Sequence, residues 1–532
     1  MQHHNGVDKL KAAVKQPVTP LWLVFPLIFL AVLLAHWPLL RLPYYWDEAG
    51  YYIPAAYDFF RTGSLIPFST LSNAHPPLPS IYLAAWWKLF GFAPLVTRIA
   101  VCFTASVALA AVWKLVLTTT GKRSVAIATV LLTALYPVFF AQSSLAHADI
   151  FAAAATLWAI AFFLERTPSS LAWSVLCFSL AALAKETAIA TPLALALWEA
   201  RTRTAAGLRR AAALILPVVP LACWYLYHRH KTGYIFGNPE YLRYNAGATL
   251  TPLRILLAFG HRLLHVTAHM NLFVPFMLML ACMMLESKKE SDGTERPRIS
   301  FSNQAIFYVI LATNMLLFSV LGGALLTRYL LPLYPLIILL CVNTFRKRLT
   351  QWPALVALSA AAFVIGLFVN PPYRFAPEDN LAYSDVIRLH QAAIAQIVQQ
   401  SPHSTVLTAW PVTDELQKPE LDYVTQPISV AAIDNFSYEQ IQRAAQLPET
   451  YTTGLIFSTK YDPPHLPFNL GHRNEAFDTR FFDFHHDLSP QLVARLLGGN
   501  VVWREDRKGQ WVAVLHFNRA VEAKLTPSPR IR

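Results

Sequence analysis

Long apolar runs separated by short polar segments dominate the first 370 residues of the chain. A helix needs about 20 mostly apolar residues to cross a bilayer. By that measure the runs predict about eleven membrane-spanning helices. These lie near residues 20–40, 96–118, 124–142, 148–165, 171–184, 188–200, 210–228, 269–286, 304–321, 329–345 and 353–369.

The apolar segments 171–200 and 79–90 do not each form one ordinary membrane span. A single helix across 171–200 would bury Lys185 and Glu186 in the middle of the membrane, where charges are costly. We therefore predict two short helices, 171–184 and 188–200, that meet at an outer turn carrying both charges. Residues 79–90 are too few to span, and we predict a helix that lies at the outer interface.

The basic residues fall in short clusters between the apolar runs, which is typical of cytoplasmic loops. The clusters include Lys122 and Arg123, the arginines of 201–210, the basic residues of 288–298, and the run 346–348. They account for the net charge of +13 as a topology signal, so no nucleic-acid partner is predicted. Residues 1–19 then form a cytoplasmic tail, and an odd number of spans places the C-terminus outside. With 55% hydrophobic and 14% charged residues, the composition is that of a polytopic membrane protein.

The composition changes after residue 370, where no further long apolar run occurs. Apolar spacing over 385–400 predicts a helix. Short strands are predicted at 405–409 and 455–458, and a hairpin is predicted from 501–504 to 511–516. We therefore interpret 20–370 as the membrane domain and 371–532 as a small α/β domain outside the membrane.

Isolated charges on the predicted outer side form a second group of candidates. The first apolar run leads into Trp46-Asp47-Glu48, among aromatic residues that favour a membrane interface. The outer side collects three acids and three bases: Asp47, Glu48, Asp149, Lys185, Arg243 and Arg328. For the bases, snorkelling of a long side chain at a helix end is the simpler alternative. Carboxylates gain nothing in that way, so the acids favour a functional site.

Several short motifs in this order resemble the GT-C membrane glycosyltransferases. They are Asp47-Glu48, His75-Pro76-Pro77-Leu78, Asp149, Leu183-Ala184-Lys185-Glu186-Thr187 and Arg328-Tyr329-Leu330-Leu331-Pro332. The resemblance is closest to the branch of the lipid A aminoarabinose transferases and protein O-mannosyltransferases, and it covers about residues 20–370. It implies an inverting transfer of a sugar from a polyprenyl-phosphate donor to an acceptor on the outer side of the cytoplasmic membrane.

The chemistry of such a transfer suggests a role for each candidate. Asp47 would accept the proton of the acceptor, and Glu48 would raise the proton affinity of the pair, orient a basic group or bind the donor sugar. The phosphate would be held by the bases, namely Arg328 and, second to it, Lys185 and Arg243.

The remaining candidates have supporting roles. Asp149 would bind the acceptor or a cation. Three carboxylates could hold a divalent cation, although no spacing in the sequence demands one, and no other cofactor is expected. His75 with Pro76 and Pro77 is expected to shape its loop.

Two other classes of function remain as alternatives. A secondary transporter also uses intramembrane charges, but transporters usually show two repeats, and the acid-rich first loop has no second copy. A lipid-binding membrane protein without catalysis is the other alternative. The sequence leaves the sugar open, and the envelope acceptor could be a lipid, a glycan or a protein.

Overall fold

The computed structural model describes residues 20–447, 450–461, 463, 478–482 and 484–517. Up to residue 370 the chain is helical, and a smaller domain with a β-sheet follows. The α-helices of the first part are α1 (Leu21–Ala35), α2 (Ile53–Thr62), α3 (Leu78–Phe90), α4 (Pro94–Thr120), α5 (Arg123–Leu135), α6 (Pro137–Gln142), α7 (Ala148–Glu165), α8 (Pro168–Ala184), α9 (Ala190–Ala200), α10 (Ala205–Ile215), α11 (Val218–Thr232), α12 (Pro239–Asn245), α13 (Pro252–Thr267), α14 (Phe273–Met283), α15 (Phe301–Val320), α16 (Tyr334–Arg348) and α17 (Trp352–Phe368).

Local sequence explains where several of these helices begin and end. Helix α4 begins at Pro94, whose missing N–H costs nothing in the first turn, and it ends at Gly121 with φ +64°. The break between α8 and α9 is confirmed, since a short 3₁₀ turn, Glu186–Ile189, separates the two helices. Segment 79–90 is confirmed as a helix, and its place at the membrane interface stays a prediction.

Within the described residues, four helical stretches are long and apolar enough to cross a membrane: α4, α7, Phe301–Val320, and α10 with α11 taken together (Ala205–Thr232). The pair Pro252–Asn271 and Phe273–Met283, bent by 98°, would make a fifth if it is one broken span. Helices α1, α5, α8 and α17 are apolar but shorter. The chain is therefore a multi-pass membrane protein, and the number of about eleven crossings stays a prediction.

The second part is an α/β domain, as the sequence predicted. Its helices are α18 (Ala382–Gln400), α19 (Val412–Gln417), α20 (Tyr438–Ala444) and α21 (Pro490–Leu497). Its strands are β1 (Val406–Ala409), β2 (Val430–Ile433), β3 (Thr453–Phe457), β4 (Gly499–Arg507) and β5 (Gln510–Phe517). The sheet order is β2-β1-β3-β5-β4, with β1, β2 and β3 parallel and β3, β5 and β4 antiparallel.

The predictions for this domain were correct for the helix after residue 382, for β1, for β3 and for the β4–β5 hairpin. Strand β2 was missed because its four residues, Val-Ala-Ala-Ile, include two alanines, which have low β-propensity. Its position is decided by pairing with β1 rather than by its own composition.

The α/β domain packs directly on loops of the helical part. A hydrophobic cluster joins Tyr383 and Ile387 of α18 to Leu39 and Leu145. The Tyr383 hydroxyl lies 2.9 Å from the Ser144 hydroxyl. This docking holds the α/β domain against the loops that carry the candidate site residues.

Candidate active site

A cavity of about 990 Å³ lies between the helical part and the α/β domain. Aromatic and aliphatic residues make up most of its wall, which is usual for sites that bind organic ligands. Charged residues on its wall include Asp47, Lys185, Glu186, Arg328 and Glu378. Four of these five come from three separate stretches of the helical part and its loops, so the fold brings together groups that are far apart in the chain.

Short irregular turns carry the key side chains. Trp46 adopts a left-handed backbone with φ +45°, and the π-helical turn Glu48–Tyr52 follows it. Such turns occur often at functional sites. Arg328 lies on a 3₁₀ turn between α15 and α16, and Glu378 lies on another after α17.

Arg328 is the centre of the site and is 2% exposed. Its Nη2 atom forms an ion pair with Asp47 Oδ2. Its Nη1 atom lies 2.7 Å from Glu378 Oε2, and its Nε atom lies 3.2 Å from Asp149 Oδ2. The Nη1 atom is also 3.0 Å from Nδ1 of His147. One guanidinium therefore holds three carboxylates that are distant in sequence.

The three carboxylates differ in their access to the cavity. The side chain of Asp47 is 22% exposed, whereas those of Asp149 and Glu378 are 3% and 5% exposed. Three buried atoms of the cluster form no hydrogen bond in the described part of the chain: Nε of Arg328, Oδ2 of Asp149 and Oε1 of Glu378. The first two face each other as an ion pair at 3.2 Å, so of these three atoms only Oε1 of Glu378 lacks a partner among the described residues. Buried polar atoms are usually satisfied. This cluster therefore has hydrogen-bonding capacity left over, and Asp47 is the acid that a ligand can reach.

Lys185 supplies the second cation. Its Nζ atom lies 2.5 Å from Asp149 Oδ1 and 4.0 Å from the centre of the Tyr329 ring. The structure thus brings Lys185, Asp149 and Arg328 together. Because both oxygens of Asp149 face cations, Asp149 anchors the two bases in this structure.

Burial of its carboxyl group, opposed by Arg328 and assisted by Asp47, raises the pKa of Glu378 from 4.5 to about 8. Burial lowers the pKa of His147 well below 6.5, and the charge of Arg328 lowers it further. Both shifts favour the uncharged form of the side chain.

Glu48 lies elsewhere, although it is next to Asp47 in the sequence. It is fully buried, its Oε1 atom lies 2.5 Å from Nη1 of Arg98, and it accepts backbone hydrogen bonds from Tyr45 and Ala146. It is not among the residues that line the cavity. The expected catalytic part for Glu48 is therefore corrected to the alternative in which it orients a basic group, Arg98.

The predicted residues Arg243 and His75 differ in their position relative to the cavity. Arg243, on α12, is exposed and does not line the cavity, unlike its neighbours Leu242 and Tyr244. Its predicted contact with a phosphate has no geometric support in this structure. His75 lines the cavity, with Nδ1 2.8 Å from Glu186 Oε2 and Nε2 3.2 Å from the Tyr241 hydroxyl.

The positions of Pro76 and Pro77 agree with a loop-shaping role. Ala74 has φ +57°, and Pro77 is the residue that precedes the first turn of α3. The prolines thus lie in the bend that turns the loop into the helix, beside His75.

Sequence reasoning missed Glu378 and Arg98. Glu378 lies in a polar stretch after the last apolar run, where acids are common and no pattern distinguishes it. Arg98 lies near the start of α4, where it was indistinguishable from a residue at a helix end. Within the described ranges, no group of three His, Cys, Asp or Glu side chains is arranged to hold a metal ion. The three carboxylates converge on the Arg328 guanidinium, and metal dependence stays a prediction.

Part of the sequence, and the fold as a whole, are similar to known proteins. The model of the dolichyl-phosphate-mannose-protein mannosyltransferase family matches residues 74–225. No curated protein matches the chain in sequence. The fold is similar to crystal structures of ArnT from Cupriavidus metallidurans, both bound to undecaprenyl phosphate and in the apo state.

The ArnT complex has a TM-score of 0.53 and 15% sequence identity, and the match covers 93% of this chain and 98% of ArnT. The apo form has a TM-score of 0.51 and 15% identity, with 93% of this chain and 97% of ArnT covered. At that identity the likeness concerns the fold, and it extends over nearly all of both chains. Residues 74–225 match the mannosyltransferase family, and nearly the whole chain is similar in fold to ArnT, so both findings support the resemblance to the GT-C membrane glycosyltransferases.

Proposed function

We propose that the chain is an inverting glycosyltransferase that moves a sugar from a polyprenyl-phosphate donor to an acceptor on the outer side of the cytoplasmic membrane. The observation that supports this best is the contact between Arg328 and Asp47 at the wall of the 990 Å³ cavity. It pairs a phosphate-binding group with a carboxylate that can reach the cavity. The undecaprenyl phosphate bound to ArnT supports the donor class, because the two folds are alike over most of their length.

In the proposed reaction the acceptor attacks the anomeric carbon of the donor from the face opposite the phosphate. The bond from that carbon to the phosphate oxygen breaks, and the polyprenyl phosphate leaves with the electron pair. Asp47 takes the proton of the acceptor. The transition state resembles an oxocarbenium ion, and one carboxylate base is what inversion requires.

The arrangement around Arg328 suggests how donor binding prepares the base. A phosphate that binds Arg328 must compete with the carboxylates already held there. Asp47 is the most exposed of the three, so it is the one most easily displaced. Once displaced, Asp47 is free to accept a proton, while Asp149 and Glu378 keep the guanidinium in place.

Supporting roles follow from the same geometry. Lys185 adds positive charge near the leaving phosphate, held by Asp149. Glu48 and Arg98 fix the turn that carries Asp47, because Arg98 also donates to the carbonyl oxygens of Pro43 and Ser144. These two are therefore positioning residues.

An assay in proteoliposomes separates this function from transport. Purified full-length protein is given a radiolabelled polyprenyl-phosphate sugar and a bacterial envelope extract. Transfer of label to a non-donor product is expected, and the label should appear on the side where Asp47 lies. Uptake of label into the lumen without a new covalent product would support a transporter instead.

The proposed orientation has the N-terminus in the cytoplasm and the domain from residue 371 onward outside. It rests on the alternation of basic clusters and isolated charges in the sequence. A phosphatase that is active only outside the cytoplasm, fused after residue 532, is expected to be active. A well-expressed but inactive fusion would mean that one crossing was miscounted.

A further inference from the structure

Strands β1 and β2 of the α/β domain end at the wall of the cavity. Ala409 and Ile433, the last residues of the two parallel strands, are register partners. The next residues, Trp410 and Asp434, therefore leave the sheet side by side, and both line the cavity. In open α/β sheets the carboxyl ends of parallel strands are the usual place for a ligand.

Trp410 reaches from the α/β domain to the turn that carries Asp47. Its indole lies so close to Gly50 that a Cβ atom there would be 2.6 Å from Cζ2 of the indole. Its ring centre is 5.8 Å from that of Tyr51 and 5.3 Å from that of Trp46. The three rings form an aromatic wall beside the candidate base. Of the three, Trp410 comes from the α/β domain and the other two come from the helical part.

Planar polar groups stand next to this wall. The Asp434 side chain is 72% exposed, and its Oδ2 atom accepts a hydrogen bond of 2.9 Å from Gln440. Asn435 also lines the cavity, and its Oδ1 atom accepts from the backbone N–H of Ser437. Both side chains are thus held by their own loop and still offer atoms to a ligand.

We propose that the carboxyl ends of β1 and β2 in the α/β domain form the acceptor subsite and that this subsite binds a carbohydrate group. This inference rests on the proposed function. A sugar ring has an apolar C–H face that can lie on Trp410 and Tyr51. Its rim of hydroxyl groups can donate to Asp434 and Asn435. One of these hydroxyls then lies near Asp47, which takes its proton during transfer.

A polypeptide acceptor fits this surface less well. Extended peptides commonly bind by adding a strand to the open edge of a sheet. Here the ends of β1 and β2 face the cavity, and no residue of the edge strand β2 lines it, so a peptide inside the cavity would meet no row of backbone donors and acceptors. The observations therefore favour a glycan or the sugar headgroup of a glycolipid.

The test uses the full-length protein in lipid nanodiscs, with methyl pyranosides as probes and saturation-transfer NMR as the readout. We expect the glycosides to bind the wild type. Trp410→Ala should weaken their binding about tenfold, since a buried tryptophan often carries more than about 1.4 kcal/mol. Trp410→Phe should keep most of the affinity because an aromatic face remains, and Asp434→Asn should lie between the two.

Controls separate this inference from misfolding. Asp506→Asn, in the β4–β5 hairpin and not on the cavity wall, should bind the glycosides like the wild type. Undecaprenyl phosphate binding is measured in the same samples, and its retention in Trp410→Ala shows an intact membrane domain. If Trp410→Ala fails to fold, Asp434→Asn becomes the decisive variant, because the Asp434 side chain is exposed and its replacement disturbs little packing.

Three results would overturn the proposal. The first is a wild type that binds no glycoside, and the second is a folded Trp410→Ala that binds as well as the wild type. The third is Trp410-dependent binding of a Ser/Thr-containing peptide in place of the glycosides. A wild type that binds glycosides but not undecaprenyl phosphate would contradict the proposed function while leaving the carbohydrate site standing.

Discussion

Two buried arginines, Arg98 and Arg328, hold two adjacent acids, Glu48 and Asp47, and their surroundings differ completely. Arg98 has one carboxylate partner, and its other hydrogen bonds go to backbone carbonyls. Arg328 contacts three carboxylates, one of them open to the cavity.

Of these two clusters, only that of Arg328 has a buried polar atom, Oε1 of Glu378, without a partner among the described residues. A charge pair that is complete in itself, like Glu48 with Arg98, can only hold structure. A crowded cluster with unused capacity at a cavity can exchange partners with a ligand. We therefore infer a structural role for Glu48 and a chemical role for Asp47, and four predictions test this inference.

The largest effect is expected from Asp47→Asn, which removes the ability to accept a proton and changes shape very little. Transfer should fall about 10²–10⁴-fold, with folding and undecaprenyl phosphate binding retained. Activity is measured as label transfer in proteoliposomes, with the exposed Asp292→Asn as the matched control. Retention of more than about a tenth of the activity, a loss below about 1.4 kcal/mol of barrier, would reject Asp47 as the base, and Asp149 would be tested next.

Glu48→Ala should act on stability instead. It leaves the Arg98 guanidinium buried without its carboxylate, and breaking a buried pair costs about 3–5 kcal/mol. A lower thermal midpoint in detergent and a lower yield are expected, and Glu48→Gln should be milder because it keeps one hydrogen bond to Arg98. A stable but inactive Glu48→Ala would restore the catalytic role for Glu48 that the sequence suggested.

Arg328→Lys should weaken donor binding while it keeps the positive charge. Lysine cannot make the paired hydrogen bonds of a guanidinium, and charged hydrogen bonds are worth about 1.5–3 kcal/mol. Undecaprenyl phosphate affinity should therefore fall about tenfold or more, with every acceptor affected equally. Arg61→Lys, exposed at the end of α2, is the control. Near-normal affinity would move the phosphate role to Lys185.

The smallest effect is a pH dependence of stability that comes from Glu378. Its pKa is about 8 in the folded protein and 4.5 when unperturbed, so the folded state retains a proton that the unfolded state has lost between these values. Stability therefore falls as pH rises from about 4.5 to about 8. Glu378→Gln should flatten this part of the profile, and thermal midpoints of the two proteins across that range provide the measurement. Parallel profiles would show that Glu378 titrates in its ordinary range.

The sequence by itself determined the general plan of the protein. Hydrophobic run length and basic clusters predicted a multi-pass helical part, and the loss of long runs after residue 370 predicted the α/β domain. Isolated outer charges identified Asp47, Asp149, Lys185 and Arg328, which the structure brings together. These features are readable because burying charge in a membrane is costly, so each outlying charge is informative.

Only the tertiary structure decided which of two adjacent acids faces the cavity. The left-handed Trp46 and the turn after it direct Asp47 outward and Glu48 inward, and no pattern in the sequence encodes that direction. Glu378 and Trp410 join the site through docking of segments that follow the last apolar run. Contacts between residues 50 or more positions apart depend on how whole elements pack, and spacing along the chain carries no record of that packing.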